Sequence, residues 1–151
     1  MTVIYKQATA WQCGQYASLN CLQRLWVKIT EQEVLSYPAM FGFPAMEKIL
    51  RHYQWIKGLS LLVSPRRVSN YLKEWIPLVC LIYSNNFDSV RNPPHIQDFK
   101  GHFNHFVCLV EDQWELLKYV DSQGDKFGDK GYWYIRKEDL KGNTRIFKIN
   151  L

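Results

Sequence analysis

The residues with the clearest chemical potential lie near the amino end, where Cys13 is followed at once by Gly14. From Gly14 to Val27 (GQYASLNCLQRLWV), Ala17, Cys21, Leu22, Leu25 and Trp26 recur at helical spacing with no proline among them. A thiol in the first turn of such an amphipathic helix has its anion favoured by the helix dipole, and the thiolate is the nucleophilic form. Gly14 leaves room for a substrate backbone and adds an unencumbered N–H beside any developing charge. Gln7, six residues before Cys13, can aim its side-chain amide at the same place as an oxyanion donor. This is the equipment for thiol attack on an acyl group.

Such an attack needs a base, and the base needs a group that orients it. His105 opens the apolar run HFVCLV and Asp121 closes WELLKYVD, sixteen residues later. If the two runs pair as a hairpin around Asp112-Gln113, their far ends become neighbours and set an imidazole beside a carboxylate.

The other candidate residues have plainer readings. Cys80 and Cys108 sit inside apolar runs, and Cys21 lies two helical turns after Cys13 on the same face, so all three read as small core residues. His102, His105 and Cys108 spell H-x2-H-x2-C, a metal-like spacing. On a strand, however, residues three apart point to opposite sides, so no metal site is expected. His102 follows Lys100-Gly101 in a loop and lacks a strand to hold it as the base, while His52 and His95 read as surface residues. Arg66-Arg67 alternates with a helix's apolar face and reads as a solvated side, so nucleic acid is not an expected partner. Asp121 alone would pass for a turn residue before Ser122-Gln123-Gly124; its spacing from His105 lifts it above that. Trp11 and Trp133 are candidates to flank a cleft.

The elements that must position these residues divide by period. Helices are expected at Gly14–Val27; after Thr30, where TEQE forms a capping box, up to Pro38; over AMEKILRHYQW after Phe43-Pro44; and over RRVSNYLKEW after Ser64-Pro65, with Val68, Tyr71, Leu72 and Trp75 on its apolar side. Short apolar runs then follow at Leu78–Tyr83, Phe106–Val110, Trp114–Val120, Tyr132–Ile135 and Arg145–Ile149, with Ser122–Gly131 as a loop. Helices first and antiparallel strands afterwards predict an α+β fold in a single domain over residues 1–151.

Composition agrees with this size and class. The 151 residues are 47% hydrophobic and 22% charged, which excludes wholesale disorder. The formal charge of +5 is a mild basic bias that suits an acidic partner without demonstrating one. No apolar stretch reaches the roughly 20 residues of a membrane helix. Met1 leads into Thr2-Val3-Ile4-Tyr5-Lys6 without the basic start and apolar run of a signal peptide, so a cytoplasmic protein is expected. Four cysteines without CxxC spacing point to reduced thiols.

Taken together, Q-x5-C-G at Gln7–Gly14, H-F-V-x-L at His105–Leu109 and D-S at Asp121-Ser122, in this order, resemble the papain-like cysteine peptidases. Within them the chain is most similar to the stand-alone form of the bacteriocin-leader, or double-glycine, peptidase domain. A Gly-Phe-x-x-Met segment at Gly42–Met46 and a proline-led apolar strand at Pro77–Tyr83 also fit. Gln12 stands where leader peptidases commonly carry aspartate, and Gln15 where many relatives carry proline.

The resemblance implies a papain-like fold and a thiol peptidase without a cofactor, acting on a polypeptide. In it Cys13 is the nucleophile, His105 the general base and acid, and Asp121 the orienter of the imidazole. Gln7 and the Cys13 N–H form the oxyanion hole. Two other readings keep the same residues: transfer of the acyl group to an amine or hydrolysis of a side-chain amide, and a peptide-binding module without catalysis.

Overall fold

The computed structural model describes residues 13–36, 57–83, 104–120, 132–137 and 144–151. The helix expected over AMEKILRHYQW and the Ser122–Gly131 loop lie outside the described residues. The described elements are α1 (Cys13–Arg24), α2 (Glu31–Leu35), β1 (Gly58–Leu62), α3 (Pro65–Lys73), β2 (Leu78–Tyr83), β3 (Asn104–Gln113), β4 (Leu116–Val120), β5 (Tyr132–Arg136) and β6 (Arg145–Asn150). The class is α+β, as expected.

The six strands form one sheet in the order β1-β6-β2-β3-β4-β5, and every neighbouring pair is antiparallel. Both faces are covered. Val79, Leu81, Phe106, Cys108 and Val120 pack with α1, while Cys80, Ile82, Val107, Leu109 and Tyr119 pack with Val68 and Leu72 of α3. Alternate residues of the central strands therefore feed two cores, which is why LVCLIY and HFVCLV are apolar at consecutive positions.

Two elements depart from expectation. The strand β1 escapes the sequence pattern because GLSLL alternates only partly, and its partner β6 lies almost at the other end of the chain, with Gly58 opposite Asn150. Helix α1 is not amphipathic: every residue from Cys13 to Leu22 is buried. Gln15 donates to the Val34 carbonyl of α2 at 3.5 Å, and two other polar side chains bond within the helix. Ser18 donates to the Gly14 carbonyl at 2.9 Å and Asn20 to the Tyr16 carbonyl at 2.9 Å. The Tyr16 hydroxyl, donating to Glu31, ties α1 to α2.

Helix ends explain the misplaced tryptophans. After α1, Val27 N–H bonds the Leu22 carbonyl at 3.0 Å and Trp26 N–H the Gln23 carbonyl at 3.2 Å. After α3, Ile76 N–H bonds the Tyr71 carbonyl at 3.0 Å and Trp75 N–H the Leu72 carbonyl at 3.0 Å. Both are Schellman endings, whose left-handed position usually takes glycine; here Trp26 (φ 61°) and Trp75 (φ 63°) occupy it. Neither belongs to its helix's apolar side, and both are exposed. The capping box after Thr30 is present, with Glu33 N–H donating to the Thr30 hydroxyl at 3.1 Å.

The β3–β4 hairpin forms, but it turns at Trp114-Glu115 rather than Asp112-Gln113, since Gln113 still pairs with Leu116. Trp114 takes φ 66° at the first loop position, a place where two-residue hairpins favour glycine. A left-handed conformation costs a non-glycine residue about 1–2 kcal/mol. A register shift between Leu109 and Glu111 bulges β3, and beyond it the Asp112 side chain is 3% exposed. Asp112 accepts from Lys137 at 2.8 Å and from the Trp114 N–H at 3.0 Å. Among the described residues no helix is long and apolar enough to cross a membrane.

Candidate active site

Helix α1 begins at Cys13 and β3 begins one residue before His105, and packing of α1 across β2 and β3 brings the two starts together. The Cys13 thiol is hydrogen-bonded to the His105 side chain, 92 residues away in sequence. Backbone hydrogen bonds from Phe106 and Gly14 reach the same sulfur. His105 is 1% exposed and pairs across the ladder with Ile82, so the strand fixes its backbone. Cys13 is 8% exposed.

Two opposed influences act on this thiol. Burial, the largest single one, pushes its pKa up; the hydrogen bond and charge of His105, with the two backbone bonds, together outweigh it and hold the thiol below its ordinary value. An imidazole at this position favours the thiolate, which is the nucleophilic form of sulfur. A thiolate can attack an electrophilic carbonyl, and an imidazole within hydrogen-bond reach can accept or return a proton.

The other thiols behave differently. Burial, followed by the Cys108 thiol beside it, pushes Cys21 well above the ordinary range, and the same two influences raise Cys80. The Sγ atoms of Cys21 and Cys108 are 2.7 Å apart and all four cysteines are free. The core role expected for Cys21, Cys80 and Cys108 matches their zero exposure.

Gln7, Asp121 and His102 lie outside the described residues. The hairpin reasoned from sequence is present: Val120, directly before Asp121, pairs with Cys108, so β4 ends toward the His105 end of β3. A cavity of about 450 Å³ lies elsewhere, beyond the α3 face, lined by Leu62, Val68, Leu117 and Ile146 with Lys137 and Arg145 at its polar side. Cys13 and His105 are not among its walls. No group of three potential metal ligands occurs among the described residues. The signal that sequence reasoning missed at the site is the Phe106 backbone, which no residue type announces.

No protein-family model matches the chain, and no curated protein matches it either. A solved structure does. It is that of a C39-like peptidase candidate from Bacillus anthracis, superposing with a TM-score of 0.67 over 99% of this chain and 95% of that one, at 10% sequence identity. At that identity the likeness is one of architecture: helices against an antiparallel sheet, arranged as in a C39-like peptidase.

Proposed function

We propose that the protein is a cysteine peptidase in which Cys13 is the nucleophile and His105 the general base and acid. The observation that carries this reading is the hydrogen-bonded Cys13–His105 pair, with its thiol held below the ordinary pKa despite burial. In the proposed reaction the Cys13 thiolate adds to the scissile carbonyl. The tetrahedral intermediate collapses as the His105 imidazolium protonates the leaving amine, leaving a thioester on Cys13. His105 then takes a proton from water, the hydroxide attacks the thioester, and the carboxylic acid departs as the thiol is restored. Gln7 and the Cys13 N–H are the proposed oxyanion donors, and Asp121 the proposed partner that orients the imidazole.

The substrate we propose is a polypeptide cut after small residues such as glycine, following the resemblance to leader peptidases. Incubation with a peptide library and mass spectrometry of the products tests it. Cleavage with water as the acyl acceptor is expected, concentrated after glycine or alanine and abolished in Cys13→Ala. Equal cleavage after Leu or Phe contradicts the specificity. Incorporation of added amines in place of water indicates an acyltransferase, and undiminished cleavage by Cys13→Ala removes the nucleophile altogether.

A further inference from the structure

Three tryptophans share an unusual combination of properties that the peptidase reading does not use. Trp26, Trp75 and Trp114 are 93%, 75% and 89% exposed. They are also the three non-glycine residues with positive φ among the described residues, each at a position that favours glycine. Neither burial nor local backbone preference accounts for an indole at any of them.

The topology gathers them at one end of the molecule. Trp114 caps the β3–β4 hairpin, at the end of β3 opposite His105. Leu78 pairs with Leu109, so Trp75, three residues before Leu78, comes from the same end of the sheet. Helix α1 advances along β3, from Cys13 at His105 to Cys21 at Cys108, and Trp26 follows its last turn toward that end. Each layer, α1, sheet and α3, thus finishes in a protruding indole.

We propose that this end docks on the surface of a lipid bilayer, with Trp26, Trp75 and Trp114 entering the headgroup region. An indole has an apolar body and one N–H donor, and it partitions to the membrane interface for that reason. The three tips belong to separate layers, so a broad, deformable surface meets all of them where a compact ligand would meet one. Charge favours an anionic leaflet: Lys28 and Lys73 lie two residues from Trp26 and Trp75 respectively, and Arg136 lines the same surface hollow as Trp114, against Glu74 and Glu115, while Lys137 there is paired with Asp112 and the chain carries +5 overall. Docking in this way leaves Cys13 and His105 at the far end, facing away from the lipid. The inference stands whether or not the catalytic reading holds.

The test is co-sedimentation of the whole protein with phosphatidylcholine–phosphatidylglycerol vesicles, read together with tryptophan emission. Binding with a blue shift, and quenching by brominated acyl chains, is expected. The variant Trp26→Gly/Trp75→Gly/Trp114→Gly is expected to bind about tenfold more weakly or worse while melting at the same or a higher temperature, because glycine suits positive φ. Protein that stays in the supernatant, or an unquenched wild type, overturns the proposal. So does equally tight binding by the triple variant. Vesicle-free dimerisation that the variant abolishes would assign the tips to a second copy of the chain instead.

Discussion

A thiol's surroundings decide whether it is a core residue or a reagent, and this chain holds both kinds. Cys80 has no exposed surface, and burial with the nearby Cys108 thiol raises its pKa. Cys13 is nearly as enclosed, yet a side-chain partner and two backbone bonds reverse the direction. Replacing sulfur by oxygen separates the two cases. Cys80→Ser puts a hydroxyl into an apolar layer between Val107 and Ile146, and is expected to lower unfolding free energy by about 1–3 kcal/mol. Cys13→Ser keeps polar neighbours and is expected to cost less, as urea denaturation of the two variants would show. Equal losses would mean that both sites are the same kind of interior. Much of this contrast was legible in the sequence: Cys-Gly at a helix start stood apart from cysteines inside apolar runs, whereas the backbone bond from Phe106 could only come from the fold.

Among the elements, one carboxylate joins several. Asp112 takes hydrogen bonds from Lys137 after β5, from Ser69 in α3 and from the Trp114 N–H of the hairpin turn. Burial opposes its ionisation most strongly, and these donors together outweigh that and hold its pKa below the ordinary carboxylate value. A carboxyl whose pKa is depressed on folding contributes its stability in full above the unfolded value of about 3.9. That contribution is lost as the pH falls through the lower, folded value. Asp112→Ala is therefore expected to cost about 2–3 kcal/mol near neutral pH. The gap from wild type should narrow in strongly acidic solution, which melting curves across pH would reveal; a gap constant with pH would contradict the role of the charge. Neither the bulge that turns Asp112 inward nor the hairpin turn one step beyond it was legible. The bulge interrupts an otherwise continuous strand pattern between Leu109 and Glu111, and the turn depends on Trp114 adopting a conformation that sequence rules reserve for glycine, as do the ends of α1 and α3.

Across the whole molecule, the antiparallel sheet and its α+β class followed from the shift in hydrophobic period near Pro77. The two-sided burial of β2 and β3 followed from their unbroken apolar runs. The strand β1 did not, because five residues with partial alternation are defined mainly by a partner about ninety positions away. The candidate site is also long-range in origin, since only the packing of α1 on β3 makes neighbours of Cys13 and His105. The sharpest test of that union is the rate at which iodoacetamide alkylates Cys13 as a function of pH, mapped by mass spectrometry in wild type and in His105→Ala. The paired site predicts labelling of wild-type Cys13 with a midpoint below the free-thiol value of about 8.5, with Cys21 and Cys80 protected, and an upward move of the midpoint in His105→Ala. A midpoint at or above that value in wild type, or one indifferent to the histidine, would contradict it.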